Sequence, residues 1–164
     1  MTSSNCITVS LPHGYSTIID KIDSDLIEFK WHAHVGPTGR VYVRRDIYTN
    51  GRKTHIWLHK IIYCRSKGLL IPPEYVDHID NNPLNNLRSN LREVTRSQNL
   101  MNSKKRNKTG LKGAYYNKRD KHWNSSIVVN NKYIYLGYFE TAEEAHDAYC
   151  KASKKYHGEF GRVE

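Results

Sequence analysis

The sequence has little cysteine and no long apolar run. Its three cysteines, Cys6, Cys64 and Cys150, are odd in number and widely spaced. This pattern excludes a disulfide scaffold and a CxxC zinc site, and it favours a reducing cytosol. The mean hydropathy is −0.75, and no apolar stretch approaches the roughly 20 residues that span a bilayer. The first eleven residues also lack the regions of a secretory signal. We therefore expect a cytoplasmic protein with no membrane partner.

Positive charge is abundant but unevenly placed. The 164 residues carry 26 Lys and Arg against 16 Asp and Glu, for a net charge of +10. Such an excess favours a polyanionic partner. Residues 31–75 hold a net +6 and residues 104–121 a net +7, whereas residues 76–103 between them are neutral. The distribution suits a protein that holds backbone phosphates on either side of a neutral segment.

A basic run divides the chain. Residues 104–110 contain few apolar side chains and end in a glycine, which predicts a linker between a module at 1–103 and a module at 111–164. The run is either a merely solvated linker or a nucleic-acid contact, and in the second case its cations bind DNA: Lys104, Lys105, Arg106 and Lys108.

Short strands and helices alternate before residue 70. Turn signals and side-chain periodicity predict a small α+β scaffold. Asn50-Gly51 marks a hairpin turn, and Gly68 ends a helix that begins at Leu58. The other predicted elements are strands at Ile7–Leu11 and Ser16–Ile19, and a short helix at Asp23–Trp31 with Asp23 as its N-cap.

A strand, a loop, a second strand and a helix follow. Val76–Asp80 reads as a short strand, residues 81–86 as an irregular Asn-rich loop, and Asn90–Val94 as the returning strand. Thr95 with Gln98 three residues later matches a capping box, so a helix begins there. Neighbouring strand residues point to opposite faces. Asp77 and His78 can therefore serve one site only if the strand ends or twists at His78.

This segment resembles the HNH endonuclease family, in the HNN variant of phage and homing members. The resemblance implies a ββα-metal site in about residues 74–103, with His78 as general base and Asn90 tying the loop that aims it. It further implies that Asp77 and Asn99 hold one divalent metal ion. His59 matches an upstream His of phage members, and phosphate contact, support of the site residues and simple packing remain open for it.

Elementary chemistry is consistent with those implied roles. Hydrolysis of a phosphodiester needs a nucleophilic water, and a neutral imidazole with a pKa near 6.5 can take its proton. A hard divalent cation on oxygen ligands can stabilise the phosphate and the leaving oxygen. Asp and Asn are oxygen ligands, which favours magnesium or manganese over a thiolate-bound zinc.

The module after the linker has a different pattern of predicted elements. Residues 113–116, 122–129 and 132–139 predict three strands, and Thr141 with Glu144 predicts a capped helix. This pattern resembles the DNA-binding domain of plant ethylene-response factors, in which the sheet enters the major groove. Most of the groove arginines of that family are absent, so its target sequence does not transfer. The candidate nucleic-acid contacts are Lys112, Tyr115, Asn117, Arg119, Trp123, Ser126, Val128, Tyr133 and Tyr135, with core packing as the alternative for Trp123.

The sequence thus predicts an α+β protein: an α+β module with a ββα-metal motif, then a three-stranded antiparallel sheet packed on one helix. By resemblance it is a metal-dependent nuclease of the homing type that nicks double-stranded DNA. It would act as a monomer or a DNA-induced dimer, use no small-molecule cofactor, and work in a bacterial host cytoplasm if phage-encoded. The alternatives are a non-catalytic DNA-binding regulator and a metal-dependent RNase.

Overall fold

The computed structural model describes residues 5–101, 110–161 and 163. Within these residues the protein is α+β, with small antiparallel sheets and a few helices, which confirms the predicted fold class. The chain divides into two compact units, Met1–Glu93 and Val94–Glu164. Residues 104–109 of the predicted linker lie outside the described residues. The predicted domain limits therefore stay a prediction.

The first unit holds seven strands and one α-helix in its described residues. β1 pairs with β2, β4 lies between β3 and β5, and β6 pairs with β7, all antiparallel. The elements are β1 (Cys6–Ser10), β2 (Ser16–Asp20), β3 (His32–Val35), β4 (Val41–Thr49), β5 (Arg52–Trp57), α1 (Leu58–Lys67), β6 (Val76–His78) and β7 (Leu91–Glu93), with 3₁₀ turns at Pro12–Gly14, Lys21–Glu28 and Arg88–Asn90.

Local signals placed most of these elements. Asn50 and Gly51 have φ of 51° and 72°, the left-handed values that a tight hairpin between β4 and β5 requires. Gly68 has φ of 66° and ends α1, as the sequence predicts. The core of the unit gathers around one face of the β3–β4–β5 sheet and α1, and its most buried apolar side chains are Ile19, Leu26, Val43, Leu58 and Ile62.

The predicted helix at Asp23–Trp31 is wrong in type and in cap. The chain forms a 3₁₀ helix over Lys21–Glu28, and Asp20 occupies the N-cap position without a side-chain cap bond. Asp23 is instead fully buried, and both its carboxylate oxygens accept from the guanidinium of Arg88, at 2.7 and 2.8 Å. A long-range ion pair thus replaces the local cap that the sequence suggested.

The second unit is a three-stranded sheet with a helix on one face. Strand order is β10–β9–β8, and Ile127 of the sheet packs with Tyr149 and Ala152 of the helix. Asn130 and Asn131, with φ of 50° and 61°, form the predicted turn. The elements are α2 (Arg96–Met101), β8 (Ala114–Asn117), β9 (His122–Val129), β10 (Lys132–Phe139) and α3 (Ala142–His157), followed by a 3₁₀ turn at Gly158–Phe160.

Both predicted capping boxes form. Gln98 N donates to Thr95 Oγ1 at 3.2 Å, and Thr95 N donates to Gln98 Oε1 at 2.8 Å. Thr141 and Glu144 make the same reciprocal pair at the start of α3. No helix in the described ranges is both long enough and apolar enough to cross a membrane.

Candidate active site

The site is built where β6 ends. Strand β6 stops at His78, and Asn81 shortly after it adopts a left-handed φ of 61°. The predicted strand therefore ends two residues early, at the residue where the sequence argument required an end or a twist. His78 is 3 % exposed, so its ring is held almost entirely by protein.

A directed chain of hydrogen bonds fixes the His78 ring. The Thr17 hydroxyl donates to Leu84 O at 2.7 Å, and Asn86 Nδ2 donates to Thr17 Oγ1 at 2.8 Å. This sets the orientation of the Asn86 amide, and its Oδ1 lies 3.1 Å from His78 Nε2. Because Oδ1 can only accept, Nε2 must carry the proton. His78 Nδ1 is left with the lone pair that a general base needs.

Strand β2 holds the loop that carries Asn86. Ile18 N donates to Leu84 O at 3.0 Å, and Asn86 N donates to Ile18 O at 2.8 Å, so the loop adds to the edge of β2. After the loop, Arg88 is tied to the buried Asp23, and its backbone N donates to Asp20 at 2.7 Å. The amino-terminal hairpin and its 3₁₀ helix therefore clamp the loop on both sides of Asn86.

Asn90 ties the same loop from within. Its Nδ2 donates to Asp80 Oδ1 at 2.9 Å and to Asn85 O at 2.7 Å, and its Oδ1 accepts from Asp80 N at 3.0 Å. Burial by itself raises the pKa of Asp80, but bonds from Asn82, Asn90 and Asn85 outweigh it and lower that pKa. Asn90 thus bonds to Asp80 and Asn85 of the loop, whereas Asn86 makes the hydrogen bond to the His78 ring.

A ring cluster lies against His78. The His59 ring centroid is 5.2 Å from that of His78, and the Tyr42 ring is 6.0 Å from His59 and 6.3 Å from His78. Burial, with smaller contributions from the charges of His78 and Lys60, lowers the pKa of His59 to about 3. Burial also lowers the pKa of His78, and the Asn86 bond and nearby acidic charges only partly oppose it. Both imidazoles are therefore neutral at pH 7.

Asp77 provides an oxygen donor beside His78. Its carboxylate is 3.4 Å from Arg92 Nη2, directly across the β6–β7 pair, and both side chains are nearly buried. No group of three or more His, Cys, Asp or Glu suited to a metal occurs in the described part of the chain. A single carboxylate still fits Mg²⁺ or Mn²⁺, since magnesium keeps several waters and takes one or two carboxylates plus substrate phosphate. Asn99 lies in α2, in the other unit.

The predicted aromatic contacts of the second unit lie on two different faces of its sheet. Tyr115, Tyr133 and Tyr135 are exposed and lie on the sheet face that strand alternation turns away from α3. Trp123 alternates onto the α3 side with the buried Ser125 and Ile127, and its ring lies 5.2 Å from that of Tyr116.

The remaining predicted contacts lie in three settings. Lys112 is buried, with its ammonium 5.8 Å from the Tyr149 ring centre. Asn117 and the exposed Arg119 bond within their own turn to Asp120. Ser126 and Val128 share the Tyr115 face. Four predicted contacts lie outside the described residues: Lys104, Lys105, Arg106 and Lys108.

Sequence reasoning missed Thr17, Tyr42 and Asn86. The available signal for Asn86 is its place in the Asn-rich loop at residues 81–86, where the sequence predicts only an irregular backbone. Thr17 and Tyr42 lie 69 and 44 positions from Asn86, by the difference of their numbers, and no local pattern marks them. Their roles depend on tertiary contacts alone.

Comparison with known proteins agrees with this geometry. Residues 56–101 match the sequence pattern of the HNH endonuclease family. A protein of Acanthamoeba polyphaga mimivirus, described as an uncharacterized HNH endonuclease L560, is 37 % identical over 105 residues, which are 63 % of this chain and 54 % of that protein. Protein 3.8 of Escherichia phage T7 is 33 % identical over 106 residues, 63 % of this chain and 87 % of its own length.

The chain thus spans about half the length of the mimivirus relative and most of the phage T7 relative. The matched family segment contains His59, Asp77, His78, Asn90 and Asn99, and it runs from the end of β5 to α2. Taken together, the match and the HNH-named relative identify residues 56–101 as an HNH endonuclease domain.

Proposed function

We propose that this chain is a metal-dependent DNA endonuclease that hydrolyses phosphodiester bonds, one strand at each encounter. The observation that carries the proposal is the hydrogen-bond chain from Leu84 O through Thr17 and Asn86 to His78. It leaves Nδ1 of a buried, neutral imidazole as a proton acceptor. The match of residues 56–101 to the HNH endonuclease family supports the same activity.

In the proposed reaction His78 acts as the general base. Its Nδ1 takes a proton from water, the oxygen of that water bonds to phosphorus, and the bond from phosphorus to the 3′ oxygen breaks. The leaving oxygen takes a proton from solvent. The imidazolium that forms keeps the hydrogen bond from its Nε2–H to Asn86 Oδ1, so the ring does not turn during the transfer. Asn90 acts at a distance, by holding the loop that carries Asn86.

Asp77 would hold one magnesium or manganese ion, which would supply positive charge at the phosphate and at the leaving 3′ oxygen. The second ligand implied by the sequence resemblance, Asn99, stays a prediction. Asp77 would share its carboxylate between that ion and Arg92. Arg92 holds the carboxylate in place on β6. EDTA is expected to abolish cleavage.

The second unit would position the enzyme on DNA. Its exposed tyrosine face carries few charges, so we assign it hydroxyl bonds to phosphate and contacts to base edges. The basic run at 104–110 would add sequence-independent attraction. One site cuts one strand, so a monomer nicks and two copies on DNA break both strands. A relative encoded by a bacteriophage fits a bacterial host cytoplasm as the setting, and the homing type stays a prediction from the sequence resemblance.

Conversion of supercoiled plasmid to open circles tests the proposal. With magnesium, the wild type should nick and His78→Ala should not, while its DNA binding in EDTA stays near wild type. His13→Asn is the control, because His13 is an exposed histidine of the same unit with φ of 64°, a value that Asn tolerates. Undiminished nicking by His78→Ala would refute the assignment. Binding without nicking by the wild type would favour the DNA-binding regulator, and cleavage of RNA alone the RNase.

A further inference from the structure

One face of the β3–β4–β5 sheet is polar and continues into the active site. The register places His34 opposite Tyr42, and Arg44 between His32 and Trp57. The opposite face carries Val43, which is 1 % exposed in the core. The polar face meets the catalytic histidine through Tyr42, whose ring lies 6.3 Å from that of His78.

Arg40 stands at the start of this face. Its carbonyl accepts from Gly36 N at 2.8 Å, so the pairing of β3 with β4 continues through it. Strand alternation puts Arg40, two residues before Tyr42, on the same side of the sheet. The Arg40 charge also acts on the His78 ring, as one of the smaller causes that lower the pKa of His78.

One donor of the Arg40 guanidinium has no acceptor in the part of the chain that the structure describes. This donor, Nη2, is buried, yet it finds no hydrogen-bond partner among the described residues. A buried donor left unsatisfied costs about 1–3 kcal/mol, and more when the group is charged. The nearby carboxylates are engaged elsewhere: Asp77 pairs with Arg92, and Asp80 accepts from the loop. An anion from outside the unit would satisfy the group.

We propose that Arg40 binds a non-bridging oxygen of the DNA phosphate that lies beside His78. The planar guanidinium offers two parallel N–H donors, which match two phosphate oxygens, and its charge offsets the charge that develops on phosphorus. Arg44 lies further along the same strand but already donates to His32 at 3.4 Å and lies 5.9 Å from the Trp57 ring. Among the described residues of this face, Arg40 is the cation that has an unsatisfied donor and whose charge acts on the His78 ring. The inference rests on the proposed nuclease function.

Three variants test it. Arg40→Met removes the charge, and Arg40→Lys keeps the charge without the paired donors. Arg52→Met makes the first change at an exposed arginine that begins β5, next to the turn at the far end of the β4–β5 hairpin. Plasmid nicking by Arg40→Met should fall by about 10²–10³-fold, the usual loss for one donor to a developing charge. Arg40→Lys should recover part of that loss, and Arg52→Met should match the wild type. The thermal midpoint of Arg40→Met should not fall, because an unsatisfied buried donor is removed.

The outcomes separate the two proposals. If the wild type nicks and a folded Arg40→Met nicks equally well, the phosphate contact is wrong and the proposed function stands. A loss of nicking that tracks a lowered thermal midpoint, with no recovery in Arg40→Lys, makes Arg40 structural and also overturns it. Should Arg40→Met not fold, Arg40→Gln decides in the same way. A wild type that does not nick refutes the proposed function itself, and this inference with it.

Discussion

Three side chains decide which nitrogen of His78 can act as a base. His78 donates to Asn86, Asn86 donates to Thr17, and Thr17 donates to Leu84 O. The direction of each hydrogen bond therefore fixes the direction of the next. A histidine with Nδ1 protonated could not donate to Asn86 and would leave two acceptors facing each other. The tautomer is therefore set by a threonine of an edge strand that precedes the site by 61 residues, by the difference of their numbers.

Asn86→Leu should show separately how far Asn86 orients the His78 ring and how far it stabilises the fold. The change keeps the volume but leaves Thr17 and His78 without their shared partner, which should lower the free energy of unfolding by about 1–3 kcal/mol. Nicking should fall by about 10²-fold, the size expected when a reacting group is misplaced by about 1 Å. Urea unfolding and plasmid nicking measure the two effects.

Thr17→Val is the control for that change, because it breaks the chain one bond further from the ring. It should cost similar stability and less activity, since Asn86 keeps its bond to Pro83 O. Equal activity losses in the two variants would contradict an orienting role for Asn86.

His59 makes stability depend on pH. In the unfolded chain its imidazole takes a proton below about pH 6.5, whereas its pKa of about 3 keeps it neutral in the folded protein. The unfolded state therefore binds more protons in this window, and the free energy of unfolding should fall as pH falls, by up to about 1.4 kcal/mol per pH unit. The groups that act on the ring are His78 and Lys60.

Replacing His59 by Leu should remove this contribution. Urea unfolding of the wild type and His59→Leu at several pH values between 7 and 4 gives the difference in slope. Asp80, whose lowered pKa also costs stability on acidification, is common to both proteins and cancels in the difference. Identical slopes would show that His59 is protonated freely in the folded state.

At the scale of elements, two strands act as supports. Strand β2 pairs with β1 on one edge and with the loop at Leu84–Asn86 on the other. Strand β6 is only three residues long, so it cannot fix that loop by itself. The ββα motif is therefore completed by a hairpin that lies outside it in sequence, which gives the amino-terminal region a structural role.

Packing of α3 on its sheet depends on a glycine. A Cβ at Gly113 would overlap the Tyr149 ring, and its φ of +81° strains any other residue. Gly113→Ala should lower the unfolding free energy of the second unit by about 2–4 kcal/mol, from overpacking and left-handed strain together. Thermal unfolding followed by near-ultraviolet circular dichroism measures it.

Gly110→Ala is the matched control. Gly110 has a similar φ of +72°, but its Cβ would meet open space. Its cost should stay near the conformational penalty alone, about 1–2 kcal/mol. If Gly110→Ala destabilised the protein as much as Gly113→Ala, the Tyr149 contact would not be the cause.

At the scale of the whole molecule, the proposed function is divided between two units with different surfaces. The first would supply a buried base among neutral imidazoles, and the second presents exposed tyrosines on a sheet. A net charge of +10 should bring both to a polyanion. Because the tyrosine face is nearly uncharged, attraction and positioning should respond differently to salt.

DNA binding measured in EDTA, so that no strand is cut, should separate the electrostatic attraction from the positioning contacts. Tyr133→Ala and Tyr135→Ala should weaken binding with little change in the slope of log affinity against log salt, because each loses a contact and no cation. Tyr156→Ala, at an exposed tyrosine of α3, should bind as the wild type does. Equal effects from all three variants would contradict a DNA-contacting sheet face.

Local sequence was enough for many elements. The Asn50-Gly51 turn, the Gly68 stop and the two capping boxes each depend on residues within four positions of one another. Their physics is backbone conformation and short-range hydrogen bonding, which a single sequence displays. A local signal failed at Asp23, which resembles a cap but pairs with a distant arginine. The pairing could not be read because burial of a carboxylate depends on what folds over it.

The sequence by itself determined the α+β class, the strand that ends near His78 and the residues of the family motif. Only the tertiary structure decided that Asn86, supported by Thr17, holds the His78 ring, and that Tyr42 and the open donor of Arg40 lie on the face that meets it. The reason is physical: periodicity and capping are properties of neighbouring residues, whereas the direction of a hydrogen bond and the burial of a charge depend on segments that meet only when the chain has folded.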